Sequence, residues 1–174
     1  MSKQGLLLVY TGQGKGKTTA ALGLIFRALG YGHKVGVVQF IKGKRQTGEW
    51  RYADTIPGLE FHVMGKGFTW ESDDLSRDKR AACLAWEKVK ELIGSGDYNL
   101  VILDEMTYAI NYGFLDLAEV LDTMANRPPE LHVVVTGRNA PEELVEAADL
   151  VTEMNVVKHP FADQGIRAQL GLDF

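Results

Sequence analysis

Two short stretches of this 174-residue chain hold the residue types that phosphate and metal chemistry need. The first is Thr11-Gly-Gln-Gly-Lys-Gly-Lys-Thr-Thr19, which leads from an apolar run into a segment with helical spacing. Glycines there let backbone N–H groups curl around phosphate oxygens, and the N-terminus of the following helix adds partial positive charge. Lys17 neutralises phosphate charge in such a loop, and the Thr18 hydroxyl is placed to meet a divalent cation. The pattern departs from the usual G-x-x-x-x-G-K-[ST] in two ways: Thr11 stands at the first glycine position, and Lys15 is an additional cation. The second stretch, Leu100-Val-Ile-Leu-Asp-Glu105, is an apolar strand ending in two carboxylates, Asp104 and Glu105. Carboxylates at that edge hold Mg²⁺, or Mn²⁺ in its place, against nucleotide phosphates; without a ligand they would be a plain acidic strand end.

The elements that must position these groups alternate along the chain. Leu6–Tyr10, Val35–Ile41, Leu59–Val63, Leu100–Leu103, Leu131–Thr136 and Leu150–Met154 read as strands. Continuous apolar runs suit strands buried on both faces, whereas the alternation in Leu59–Val63 places that strand nearer an edge. Helical spacing is read over Thr18–Leu29, Ser76–Ile93, Leu115–Ala125 and Pro141–Ala148, with Gly30 and the Gly94-Ser-Gly96 run as stops. Alternation of this kind requires crossover connections and a mostly parallel sheet of about six strands in one α/β domain spanning residues 1–174. Ligands of such sheets sit beyond the carboxyl ends of the strands, where both motifs fall.

Together the motifs define a nucleoside triphosphate–Mg²⁺ site without stating its use. Phosphoryl transfer by a kinase or ATPase, a nucleic-acid motor, and a switch that binds ATP without catalysis all remain open at this level. The balance of 19 basic against 23 acidic residues, net −4, argues against a nucleic-acid partner. Beyond Lys42–Arg45 there is no basic stretch. Cys83 alone cannot form an internal disulfide, and no Cys/His cluster has zinc spacing, which fits a reducing cytoplasm. The apolar run near the N-terminus is too short for a leader or a membrane span, so no membrane partner is expected.

Further segments narrow the chemistry. Gly12–Thr19, Val37-Val-Gln-Phe-Ile-Lys-Gly43, Gly67-Phe-Thr-Trp70, Leu103-Asp-Glu105, Thr136-Gly-Arg138 and Val157-Lys-His159 occur in this order. In sequence and spacing the chain resembles the P-loop-type ATP:corrinoid adenosyltransferases, from about Gly5 to Gly171-Leu-Asp-Phe174. The resemblance implies a RecA-like P-loop fold and a cytoplasmic homodimer. It also implies transfer of the 5′-deoxyadenosyl group of ATP to the cobalt of a reduced corrinoid, cob(I)alamin, in adenosylcobalamin biosynthesis or salvage. Triphosphate leaves, ATP lies reversed relative to ordinary P-loop enzymes, and a reductase such as a flavoprotein supplies electrons.

Under that resemblance Gly12, Gln13, Gly14, Lys15, Gly16, Lys17, Thr18 and Thr19 bind the triphosphate. Lys15, Lys17 and Mg²⁺ stabilise its developing charge, while Thr18 with Asp104 or Glu105 holds the metal, Glu105 in the closer contact. Phe68 and Trp70 would pack beneath the corrin and displace its lower axial ligand, easing reduction of cob(II)alamin. The other reading of these two rings is as anchors of their loop on the core. Arg138 either contacts phosphate or forms a surface salt bridge. Lys42–Arg45 reads as a solvated loop, with a basic rim for ATP or corrin amides as the alternative. His33, His62, His132 and His159 show no ligand spacing, and Cys83 and Trp86 read as packing residues of their helix. Many family members carry an N-terminal segment that helps close the site. This chain begins close to its first strand, so the resemblance leaves site closure and corrinoid affinity open.

Overall fold

A computed structural model describes residues 4–41, 46–65 and 75–173. Six strands form one sheet: β1 (Leu7–Thr11), β2 (Val35–Gln39), β3 (Leu59–Val63), β4 (Leu100–Asp104), β5 (His132–Thr136) and β6 (Leu150–Glu153). Their spatial order is β3-β2-β4-β5-β1-β6, and every neighbouring pair is parallel. β2 and β4 are buried throughout, as their unbroken apolar runs require. β3, the strand with alternating polarity, is indeed an edge strand and is half-buried along its length.

The helices are α1 (Lys17–Leu29), α2 (Gly48–Ala53), α3 (Leu75–Ser95), α4 (Met106–Asn111), α5 (Leu117–Ala125), α6 (Glu142–Ala147) and α7 (Pro160–Gln164). The two-residue period of the strands divides the core into two faces. Val35, Val37, Leu100, Ile102 and Val134 pack against Ala21 and Ile25 of α1. The intervening residues, among them Val38, Val101, Leu103, Val133 and Val135, pack against α3, α4, α5 and α6. Each such side chain stabilises the fold by about 1.5–3 kcal/mol on full burial.

Several boundaries differ from the sequence reading. The helices α2, α4 and α7 were not expected, because five or six residues hold too few turns to display an apolar stripe. Pro141 stands just outside its helix as the N-cap residue, with an extended backbone. Gly30 does stop α1, as expected, capping it in a right-handed conformation (φ −61°). Trp86 is a core residue, 3% exposed, and its indole N–H donates to Glu119 Oε1 at 2.9 Å, joining α3 to α5. Cys83 lies on the exposed side of α3 instead, so it contributes little to packing.

Candidate active site

Register brings the polar residues of the site into one row. Gln39 of β2 lies opposite Asp104 of β4, and Tyr10 of β1 lies opposite Thr136 of β5. Leu103 pairs with Val135, so the next residues, Asp104 and Thr136, are adjacent at the carboxyl edge. By the period of two, Gln39, Asp104 and Thr136 share a face with Val37, Ile102 and Val134, the face covered by α1. The N-terminus of α1 therefore lies over this row, and Thr18 reaches down to it.

Asp104 is 2% exposed and fully partnered. The hydroxyls of Thr18 and Thr136 donate to its Oδ1 at 2.8 and 2.7 Å, and the Gln39 amide donates to its Oδ2 at 3.0 Å. Burial pushes the Asp104 carboxyl above its ordinary value, and these hydrogen bonds oppose the rise. Glu105 follows without an intervening loop, in a left-handed conformation (φ 58°), as the N-cap residue of α4. That conformation costs a non-glycine residue about 1–2 kcal/mol. Burial, then the neighbouring Asp104 charge, raise the Glu105 carboxyl to about 7, with Lys17 and Arg138 pulling it back.

The phosphate loop is closed on itself. Lys17 is buried, and its Nζ donates to the carbonyls of Gly12 and Gly14 at 2.7 and 2.6 Å. Burial lowers its ammonium value first, the Arg138 charge lowers it further, and Glu105 partly restores it. Two glycines are required here by a neighbour that the sequence reading placed only at a strand end. A Cβ on Gly12 or Gly14 would come within 2.4 or 2.7 Å of the Met154 carbonyl, just past β6. The Gly14 N–H donates to that same carbonyl at 2.6 Å, so it fastens the loop to the sheet edge.

Thr11, the departure from the usual loop pattern, accepts a hydrogen bond from the Ala140 N–H at 3.1 Å. Gln13 donates to Asn139 Oδ1 at 2.7 Å. Both tie the phosphate loop to the segment after β5, which presents the exposed Arg138. Lys15 is exposed and pairs with Asp173, which returns from the end of the chain. Asp173 stands between two cavities. One, of about 980 Å³, is lined by Thr18, Thr19, Phe26, Trp50, Asp104 and Glu105 among others. The second, of about 730 Å³, lies between Lys15 and Thr19 on one side and His159, Phe161 and Arg167 on the other. His159 itself caps α7, accepting the N–H groups of Phe161 and Ala162.

The structure thus gathers Gly12, Gln13, Gly14, Lys15, Gly16, Lys17, Thr18, Thr19, Asp104, Glu105 and Arg138 at one edge of the sheet. Phe68, Trp70 and Lys42–Arg45 lie outside the described residues. Among the described residues no group of three or more His, Cys, Asp or Glu could hold a metal unaided. Two carboxylates and a threonine hydroxyl do fit Mg²⁺ bound jointly with phosphate oxygens, which is its usual mode. Sequence reasoning gave no site role to Thr136, Gln39, Met154 or Asp173, although each lies in a segment it singled out; their roles follow from strand order and chain return.

A glycine-rich loop from a parallel strand into a helix, facing a strand that ends in Asp-Glu, defines a P-loop nucleotide-binding protein with a RecA-like sheet. The flagellar accessory protein FlaH of Methanocaldococcus jannaschii shares this fold, with a TM-score of 0.56 at 12% identity over 87% of this chain and 71% of that one. The family model for ATP:corrinoid adenosyltransferase BtuR/CobO/CobP matches residues 3–174, and the chain belongs to that family. It is 50% identical to a corrinoid adenosyltransferase of Pseudomonas aeruginosa, over 99% of this chain and 85% of that protein. It is 43% identical to one from Escherichia coli K12, over 99% and 87%.

Proposed function

We propose that this chain, an ATP:corrinoid adenosyltransferase by family, moves the 5′-deoxyadenosyl group of ATP onto the cobalt of a reduced corrinoid such as cob(I)alamin. In this reaction the cobalt attacks the 5′ carbon, a cobalt–carbon bond forms, and the carbon–oxygen bond to triphosphate breaks. The observation that carries the site assignment is the coupling of Thr18 to the buried Asp104 beside Lys17. This arrangement suits a leaving triphosphate, because cationic and metal-binding groups meet where negative charge accumulates. No general base is called for, since the corrinoid brings its own nucleophile.

In this reading the loop from Gly12 to Thr19 grips the triphosphate, with Lys17, Lys15 and Arg138 supplying positive charge. Thr18, Asp104 and Glu105 hold Mg²⁺, or Mn²⁺ in its place, which neutralises phosphate charge when bound. Lys17 must exchange the Gly12 and Gly14 carbonyls for phosphate oxygens, and Lys15 must release Asp173. Phe68 and Trp70 serve the corrin side, displacing its lower ligand. One domain spanning the chain, a cytoplasmic homodimer and an electron-donating flavoprotein complete the reading. No helix among the described residues is long and apolar enough to cross a membrane.

An anaerobic assay with cob(I)alamin, ATP and Mg²⁺ tests the reaction. Loss of the cob(I)alamin spectrum with a light-sensitive alkyl product supports it; ADP with unchanged cob(I)alamin would mean ordinary phosphoryl chemistry. Trp70→Ala tests the corrin side. It should slow turnover from cob(II)alamin with a weak reductant and spare turnover from prepared cob(I)alamin; equal losses would make Trp70 structural.

A further inference from the structure

We propose that Thr136 positions both carboxylates of the Asp104–Glu105 pair, holding the side chain of one and the backbone of the other through a single hydroxyl. The inference rests on the reading that this pair acts on the bound nucleotide.

The strand order creates the need. β5 lies between β1, which feeds the phosphate loop, and β4, which ends in the acid pair. Strands are spaced by about 4.8 Å, so loop and acids start roughly 10 Å apart. Whatever stands at the end of β5 sets their relation. Thr136 stands there, fully buried, in register with Tyr10 and beside Asp104.

Its hydroxyl has one proton and two lone pairs. The proton goes to Asp104 Oδ1 at 2.7 Å. A lone pair accepts the Glu105 N–H at 2.9 Å. That N–H belongs to the N-cap residue of α4, so helix geometry gives it no partner. The Thr136 bond therefore fixes the left-handed turn at Glu105, which sets where its carboxylate stands relative to Lys17 and Arg138.

Thr136 is itself held against movement. The Gly137 N–H donates to the Tyr10 carbonyl at 3.1 Å. Gly137 has φ 145°, and a Cβ there would lie 2.0 Å from Thr107 Oγ1, so no other residue fits this turn. Thr107 in turn donates to the Arg138 carbonyl at 2.7 Å, and Asn111 donates to the Asn139 carbonyl at 3.0 Å. The bracket from α4 holds the backbone that follows Thr136 in place.

Thr136→Val keeps the shape and removes both hydrogen bonds; Thr136→Ser keeps the hydroxyl. ATP affinity of the full chain is measured by calorimetry in EDTA and in Mg²⁺ without corrinoid, and kcat and KM are measured with prepared cob(I)alamin. The valine variant should keep its metal-free ATP affinity within about twofold. It should lose roughly 10–100-fold in kcat and a like factor of the affinity gained from Mg²⁺, as for other residues that orient metal ligands. The serine variant should recover most of both. If valine does not fold, Thr136→Ala set against serine makes the same comparison. A valine or alanine variant with wild-type kcat and Mg²⁺ gain overturns the inference, as does a serine variant no better than either. Asp104→Asn and Glu105→Gln separate the two levels. If both keep wild-type kcat, the reading of the acid pair fails; if they lose it while Thr136→Val does not, only the positioning role fails.

Discussion

Lys17 and Lys15 stand two positions apart in one loop and have opposite surroundings. Lys17 faces inward, buried against the loop carbonyls above a row of side chains that the central strands hold in register. Lys15 faces outward, exposed, and its partner Asp173 belongs to a final segment whose residues are mostly exposed. The inner rim gains strength from partial burial and fixed geometry, so losing one group leaves others without their partners at the floor of the cavity. The outer rim trades one ion pair at the protein's edge, with Lys15 exposed and Asp173 half-buried, for another, and such exchanges are worth about 1 kcal/mol or less. On the proposed reading, the inner rim sets the chemistry and the outer rim tunes access.

The largest expected effect comes from the inner rim. Lys17→Ala should lower kcat by roughly 10²–10³-fold, since a preorganised cation at the leaving group is removed. Activity within a few-fold of wild type would break the division between rims. Glu105→Gln should lower kcat by roughly tenfold or more, with a stability signature of its own. The Glu105 carboxyl is raised from 4.5 to about 7, so the folded protein retains a proton that the unfolded chain has released. Stability without ATP or divalent cation should thus fall as pH rises through that window. Thermal melts of wild type should show this decline, and Glu105→Gln should flatten it. A pH-independent difference between the two proteins would contradict the buried carboxyl.

The smallest effect belongs to the outer rim. Asp173→Ala frees Lys15 and should tighten apparent ATP affinity by about two- to fivefold at low salt. The gain should shrink as salt rises, because exposed charges are screened. A loss of ATP affinity on this substitution would mean that Asp173 helps to hold the nucleotide, and the two rims would no longer differ in kind.

The inner rim was largely legible in the sequence because its parts are local. Gly16-Lys-Thr18 after an apolar run, and Asp104-Glu105 at the end of another, each carry their meaning within one strand and its turn. The couplings between them were not legible. Thr18 meets Asp104 across 86 positions and Thr136 meets Asp104 across 32, and only the insertion of β5 between β1 and β4 makes those contacts. Thr11 looked like a lapse from the loop pattern, yet it is the acceptor for Ala140 N–H. The outer rim was the least legible, since Asp173 lies 158 positions from Lys15 in a segment with no apolar periodicity. The helix α4 hid for a further reason besides its shortness: four of its six residues are buried, Thr107 among them, so polarity did not mark its outer face.

The central claim is that a loop built to grip phosphates here serves the breaking of a carbon–oxygen bond. ATP carrying heavy oxygen at the 5′ bridging position, turned over anaerobically with cob(I)alamin and Mg²⁺, tests it directly by mass spectrometry of the products. The account predicts that all of the label leaves with triphosphate and none stays with the adenosyl group on cobalt. Label retained on ADP with phosphate as the other product, or on adenosine beside unlabelled triphosphate, would contradict it.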